Sequence, residues 1–184
     1  KFIVLVKSRP DLEENKNKTE LQLIDVATGT TRTLTYDRPS VGHPRWSPSG
    51  DRIAFVAKDG LGKDSHNQIF ILSMIGGDAM KVTNSTTGIQ QFSWKPDGTV
   101  IAYVQEDEPE NKSELEKGYD AFEVKYNSMF LNKKPRSSHI WLISSIGGEA
   151  KRLTSGSWSL PSSYPPGTPA SPLSWSPDGK YIAF

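Results

Sequence analysis

The chain has 184 residues, 22 Lys and Arg against 21 Asp and Glu, a formal net charge of +1 and 35% hydrophobic residues. That length supports one sizeable core, and the dispersed, matched charges lack the basic stripe of a nucleic-acid binder. No apolar run approaches the ~20 residues that cross a bilayer as a helix. The opening residues carry no charged-then-apolar leader, and the lack of cysteine removes disulfide scaffolds and thiolate metal sites.

In chain order, Phe2-Ile3-Val4-Leu5 opens as a short apolar strand. Leu21-Gln22-Leu23-Ile24 then leads through Thr28-Gly29 to Arg32-Thr33-Leu34-Thr35, a hairpin with Gly at its turn. Next comes Trp46-Ser47-Pro48-Ser49-Gly50-Asp51-Arg52-Ile53-Ala54-Phe55, which reads as strand, tight turn, strand. Proline presets the turn, a Ser or Asp side chain bonds its backbone, and Gly accepts the left-handed conformation that closes it. The hairpin pattern returns at Ile69-Phe70-Ile71-Leu72 with Met80-Lys81-Val82-Thr83, and at Ile140-Trp141-Leu142-Ile143 with Lys151-Arg152-Leu153-Thr154. The Trp-led pattern returns at Trp94-Lys95-Pro96-Asp97-Gly98 and at Trp175-Ser176-Pro177-Asp178-Gly179, each followed by Ile-Ala-aromatic.

Thr35 and Thr83 are 48 residues apart, as are Ser47 and Lys95, so the two patterns keep one phase. With the Trp-led strand named A, the Ile-Ala-aromatic strand B and the hairpin C and D, the chain holds three B-C-D-A sets and one further strand. Four short strands repeated every ~40–50 residues are the signature of a β-propeller, whose blades bury their faces on one another. The expectation is an all-β partial propeller of four-stranded antiparallel blades. Blade repeats are placed at about 1–35, 41–83, 89–154 and 172–184 of a single propeller fragment. A helical solenoid lacks support because no segment sustains a 3.6-residue apolar period. A two-sheet sandwich also uses short strands but does not explain the shared spacing. Closed propellers need roughly four to eight blades, so this stretch is expected to belong to a longer chain and, alone, to expose strand edges and self-associate.

Two insertions interrupt the repeat. Thr83 and Thr154 are 71 residues apart, and the excess lies between strands B and C at about 105–138. It begins acidic (Glu106-Asp107-Glu108-Pro109-Glu110), continues through Ser113-Glu114-Leu115-Glu116-Lys117 as a short-helix candidate, and ends with Tyr119, Phe122, Tyr126 and Phe130. The second, at about 155–171, runs through the Pro-rich Trp158-Ser159-Leu160-Pro161 and Tyr164-Pro165-Pro166-Gly167. Strands in an up-and-down blade alternate direction, so both insertions emerge on one face, opposite the Pro-Asp-Gly turns. Long loops gathered on one side of a rigid scaffold are where binding resides.

At these residues the sequence resembles TolB-type propellers and the N-terminal propellers of the prolyl oligopeptidase family of serine peptidases. The stretches Asp120-Ala121-Phe122-Glu123-Val124, His139-Ile140-Trp141-Leu142, Ser157-Trp158-Ser159-Leu160-Pro161 and Pro169-Ala170-Ser171-Pro172-Leu173 are similar to the bacterial dipeptidyl aminopeptidase and acylaminoacyl-peptidase-like branch. The resemblance implies a propeller that gates a C-terminal α/β-hydrolase domain and orients short peptides for it. It also carries an expectation of export to the periplasm or beyond. No Gly-x-Ser-x-Gly elbow occurs, so this stretch supplies no nucleophile and is not expected to hydrolyse peptides itself. In some members propeller carboxylates hold a substrate's free ammonium group; Glu114, Glu116, Asp120 and Glu123 lie in the kind of insertion suited to that work, match no defined motif, and are the candidate substrate-binding residues by charge complementarity. The alternative is a TolB-like protein-interaction propeller, and a weaker third option is a ligand-binding propeller with aromatics about its axis.

No cofactor or metal is expected. His43, His66 and His139 are isolated, without ligand spacing. Gly60-Leu61-Gly62-Lys63-Asp64 lacks the remaining spacing of a phosphate loop. The three Asn-x-Ser/Thr triplets at Asn17, Asn84 and Asn111 are common chance matches.

Overall fold

Ile53 to Ala57 and Ile69 to Leu72 have no polar face, so sheets built from them must be covered on both sides. The computed structural model, which describes residues 1–62, 64–110, 113, 115, 117, 118, 121, 136–160 and 172–184, meets that demand by stacking sheets. Its strands are β1 (Phe2–Asp11), β2 (Lys16–Asp25), β3 (Thr31–Thr33), β4 (Gly42–Trp46), β5 (Arg52–Lys58), β6 (Asn67–Ser73) and β7 (Met80–Lys81). They continue with β8 (Ile89–Trp94), β9 (Val100–Glu106), β10 (Ser138–Ser144), β11 (Lys151–Arg152), β12 (Ser174–Trp175) and β13 (Ile182–Ala183). Four antiparallel sheets result, ordered β1-β2-β3, β4-β5-β6-β7, β8-β9-β10-β11 and β12-β13. The fold is all-β, with strands A to D in the expected order, and the sheets do not close into a ring.

Side chains alternate between the two faces of each sheet and fill three inter-sheet cores. Ile53, Phe55, Phe70 and Leu72 turn toward Leu21 of the first sheet. Ala54, Val56, Ile69 and Ile71 turn the other way, onto Phe92, Trp94, Ile101 and Tyr103 of the third. The third sheet sends Ala102, Val104 and Ile140 toward Leu173 and the fourth. Ile53, Phe55, Ile69, Ile101 and Ile140 are wholly inaccessible, and burying each such side chain contributes about 1.5–3 kcal/mol.

Polar contacts repeat with the blades. Leu21, Ile69 and Ile140 each donate a backbone N–H to the hydroxyl of Thr35, Thr83 or Thr154 at 2.9 Å, which is why Thr recurs there. Gly50, Gly98 and Gly179, at φ of 68–73°, close the A–B turns by donating to the carbonyls of Ser47, Lys95 and Ser176. The indole Nε1 of Trp94 donates to the carbonyl of Arg45, and that of Trp175 to the carbonyl of Ser93, both at 3.3 Å. Each Trp thus bonds to the A strand of the preceding sheet, and β4 lies beside β8 as β8 lies beside β12.

The first hairpin departs from the expected length. β1 and β2 pair continuously from Phe2–Asp25 to Asp11–Lys16, well past the apolar runs. Cross-strand ion pairs of Glu20 with Lys7 and Arg9, and of Asp11 with Lys18, extend the ladder into polar sequence. The Asp11 carboxylate also accepts the Glu13 and Glu14 amides at 3.1 Å, which forms the turn.

Candidate functional site

The end of β9, the start of β10 and β11 bring a charged cluster to the face where the B–C and D–A connections emerge. His139 is completely buried, and its Nδ1 lies 3.0 Å from Asp107 Oδ2 and 2.7 Å from an Arg152 guanidinium nitrogen. Arg152 also donates to Asp107 Oδ2 at 3.0 Å and to the Thr154 carbonyl at 2.8 Å. The imidazole stands edge-on to Trp158, ring centres 5.4 Å apart, and its buried Nε2 has no partner among the described residues. Just ahead of β10, Arg136 pairs with Glu106 and donates to the Asp107 carbonyl.

The preceding blade carries a milder version of the same cluster. Asp59 faces Lys81 at 3.4 Å and accepts the His66 amide at 3.0 Å. Burial alone would raise the Asp59 pKa, but the His66 amide and the Lys81 ammonium outweigh it and hold the carboxyl below its ordinary value. Where His139 stands in the third sheet, Gln68 stands in the second. Gln68 donates to the Ser85 carbonyl at 2.7 Å and accepts from Thr83 and from the Ser85 amide, tying down the D–A connection.

Both insertions leave from roots that are bonded to each other. Ser138 donates its N–H to Ser159 Oγ at 2.9 Å, Leu160 donates to the Ser138 carbonyl at 3.1 Å, and Asp107 donates to the Ser137 carbonyl at 2.8 Å. Glu114, Glu116, Asp120 and Glu123 lie outside the described residues, as do Tyr119, Phe122, Tyr126, Phe130 and the stretch 161–171. The structure therefore fixes the bases of the insertions and is silent on those four carboxylates. Sequence reasoning missed Asp107 and Arg152; the available signal was their alignment with Asp59 and Lys81 in the repeat.

A second feature is a cleft of about 300 Å³ along the A strands, lined by His43, Arg45, Trp46, Phe92, Trp94 and Leu173 among others. Both β4 and β8 bulge beside it, between Gly42 and Arg45 and between Ile89 and Gln91. A bulge redirects side chains that a regular strand would alternate, and His43 adopts φ 52° there. Behind the cleft, burial pushes the Tyr103 phenol up to about 12, so that group stays protonated. Among the described residues no three His, Cys, Asp or Glu side chains converge to hold a metal.

No family model matches the chain. It is 30% identical over 188 residues to an uncharacterized peptidase, YuxL, of Bacillus subtilis, covering 97% of this chain and 27% of that protein. It is 27% identical over 103 residues to dipeptidyl-peptidase 5 of Porphyromonas endodontalis, covering 56% of this chain and 14% of that one. The acylaminoacyl peptidase of Pyrococcus horikoshii superposes with a TM-score of 0.63 at 20% identity, over 83% of this chain and 23% of that chain. TolB of Acinetobacter baumannii does so with a TM-score of 0.59 at 16% identity, over 97% of this chain and 34% of that chain. The chain thus spans about a quarter or less of the length of the peptidases it matches. It is a stretch of β-propeller with TolB-like repeats, similar to part of longer proteins named as peptidases.

Proposed function

We propose that this chain is the non-catalytic propeller portion of a serine exopeptidase or oligopeptidase, gating access of short peptides and orienting them for a hydrolase domain. The relatives named as peptidases support the parent activity. The observation that carries the gating role is the mutual bonding of the two insertion roots, Ser138 with Ser159 and Leu160, on one face of a rigid stack. Loops anchored together act as a unit, so what one insertion contacts, the other feels. Glu114, Glu116, Asp120 and Glu123 supply carboxylates to meet a substrate's ammonium group.

The test uses the full natural protein and a series of peptides from two to about thirty residues. Short peptides are cleaved and long ones refused; replacing residues 108–135 by a short Gly-Ser linker admits the longer ones. Absence of any hydrolysis overturns the parent activity, and an unchanged length cut-off in the deletion variant overturns gating. The second reading, a TolB-like interaction propeller, is favoured by the superposition that takes in 97% of this chain. It is distinguished by a full natural protein that lacks peptidase activity altogether.

A further inference from the structure

We infer that the cleft along the A strands is a recognition site for a peptide carboxylate, with Arg45 as the specificity-determining cation; the choice of a peptide as ligand rests on the function proposed above. Several cations elsewhere in the stack are paired with carboxylates. Arg38 meets Asp78, Lys81 meets Asp59, Arg136 meets Glu106 and Arg152 meets Asp107. Arg45 has no carboxylate among the described residues: its guanidinium donates only to the neighbouring Pro44 carbonyl, at 3.0 Å. His43 lines the same cleft, and among the described residues no acidic side chain does. The local field therefore favours an anion.

Arg45 is also held in place. Its residue pairs with Ala54 in the β4–β5 ladder, and its carbonyl accepts the Trp94 indole at 3.3 Å. The backbone is thus fixed from two sides while the head group remains exposed. The equivalent position before Trp94 is Ser93, and before Trp175 it is Ser174, so the repeat does not require a cation there. The same cleft is lined by Trp46, Phe92, Trp94 and Leu173, apolar surface for the rest of a peptide. A planar fork of N–H donors beside aromatic walls suits a carboxylate borne on an apolar chain, either a side-chain carboxylate or a peptide C-terminus.

The experiment is an equilibrium titration of the full natural protein, read by tryptophan fluorescence, with three N-acetylated tripeptides. These are Leu-Phe-Gln amide, Leu-Phe-Glu amide and Leu-Phe-Gln with a free C-terminus. One or both carboxylate ligands bind about tenfold tighter than the neutral amide, the worth of one charge-assisted pair at a half-exposed site. Which of the two gains identifies the source of the carboxylate. High salt removes the preference in the unaltered protein, Arg45→Gln removes it at low salt, and Arg45→Lys restores part of it. Equal binding of all three ligands, or a preference that survives Arg45→Gln in a variant with an unchanged circular-dichroism melt, overturns the inference. Hydrolysis is scored on the same protein: carboxylate preference without hydrolysis upholds the cleft and sinks the peptidase reading. Hydrolysis without the preference does the reverse.

Discussion

Replacing Thr83 with Val is a sharp test of the hydrogen bonds that repeat with the blades. The hydroxyl of Thr83 accepts the Ile69 amide at 2.9 Å and donates to Gln68 Oε1 at 2.8 Å, both in the core. Valine keeps the shape and deletes both bonds. A buried amide left without an acceptor costs about 1–3 kcal/mol, and the loss of the second bond adds about 1 kcal/mol. The expected loss is therefore roughly 2–4 kcal/mol. Thr35→Val is the internal control, because Thr35 accepts only the Leu21 amide at 2.9 Å. It should cost less by about 1 kcal/mol, one net hydrogen bond. Thr83→Ser retains the hydroxyl and should recover most of the difference. Urea unfolding gives the global value, and hydrogen exchange at the Ile69 amide gives the local one, with protection falling by roughly 30- to 1,000-fold at 1.4 kcal/mol per decade. If Thr83→Val matched Thr35→Val, or if Thr83→Ser were as damaging as Val, the shared hydroxyl would not be what holds strands C and D together.

Two further outcomes follow from the A–B turns. Gly50 and Gly98 have φ of 73° and 70°, and an added Cβ would meet open space at Gly50 but the Arg52 guanidinium at 3.4 Å at Gly98. Gly50→Ala and Gly98→Ala should each cost about 1 kcal/mol for a left-handed backbone, with Arg52 keeping its bonds to the Gly98 carbonyl and Ser145, as differential scanning calorimetry will show. Lys95 and Thr99 hold the Asp97 carboxyl down to about 2, from an ordinary 3.8. A depressed folded-state pKa contributes stability that is present above about pH 4 and lost as pH falls toward 2. An NMR titration of the Asp97 carboxyl checks this, and a midpoint near 4 would refute it.

The architecture was legible because burial on two faces and tight turns leave strong local marks. Ile53-Ala54-Phe55 cannot sit at a surface, and Gly50, Gly98 and Gly179 mark positive φ by their identity alone. Thr35, Thr83 and Thr154 were visible as a spacing before their hydroxyls were seen to accept the Leu21, Ile69 and Ile140 amides. The extension of β1 and β2 was hidden, since Lys7, Arg9 and Glu20 read as loop residues until their cross-strand pairing is known. The charged cluster was hidden for a related reason. Asp107 and Arg152 are 45 residues apart, and only the sheet order β9-β10-β11 brings them together around His139.

A repeat also supplies its own controls, and that is where function becomes readable. At each position the blades show what packing alone accepts, so a residue that departs from its counterparts requires a separate explanation. Gln68 satisfies its blade with three hydrogen bonds to Thr83 and Ser85. His139, at the same place, has no partner for Nε2 among the described residues and turns instead to Asp107 and Arg152 at the roots of the insertions. Ser93 and Ser174 precede their tryptophans without any charge, whereas Arg45, which meets no carboxylate among the described residues, lines a cleft with Trp46, Phe92 and Trp94. An unpaired charge gains nothing from a neighbouring blade that a serine would not, so packing cannot be its reason. The two departures fall in different places, one at the insertion roots and one along the A strands. A scaffold of near-identical sheets can carry two separate recognition surfaces because the turn glycines Gly50, Gly98 and Gly179 that close its strands lie at neither.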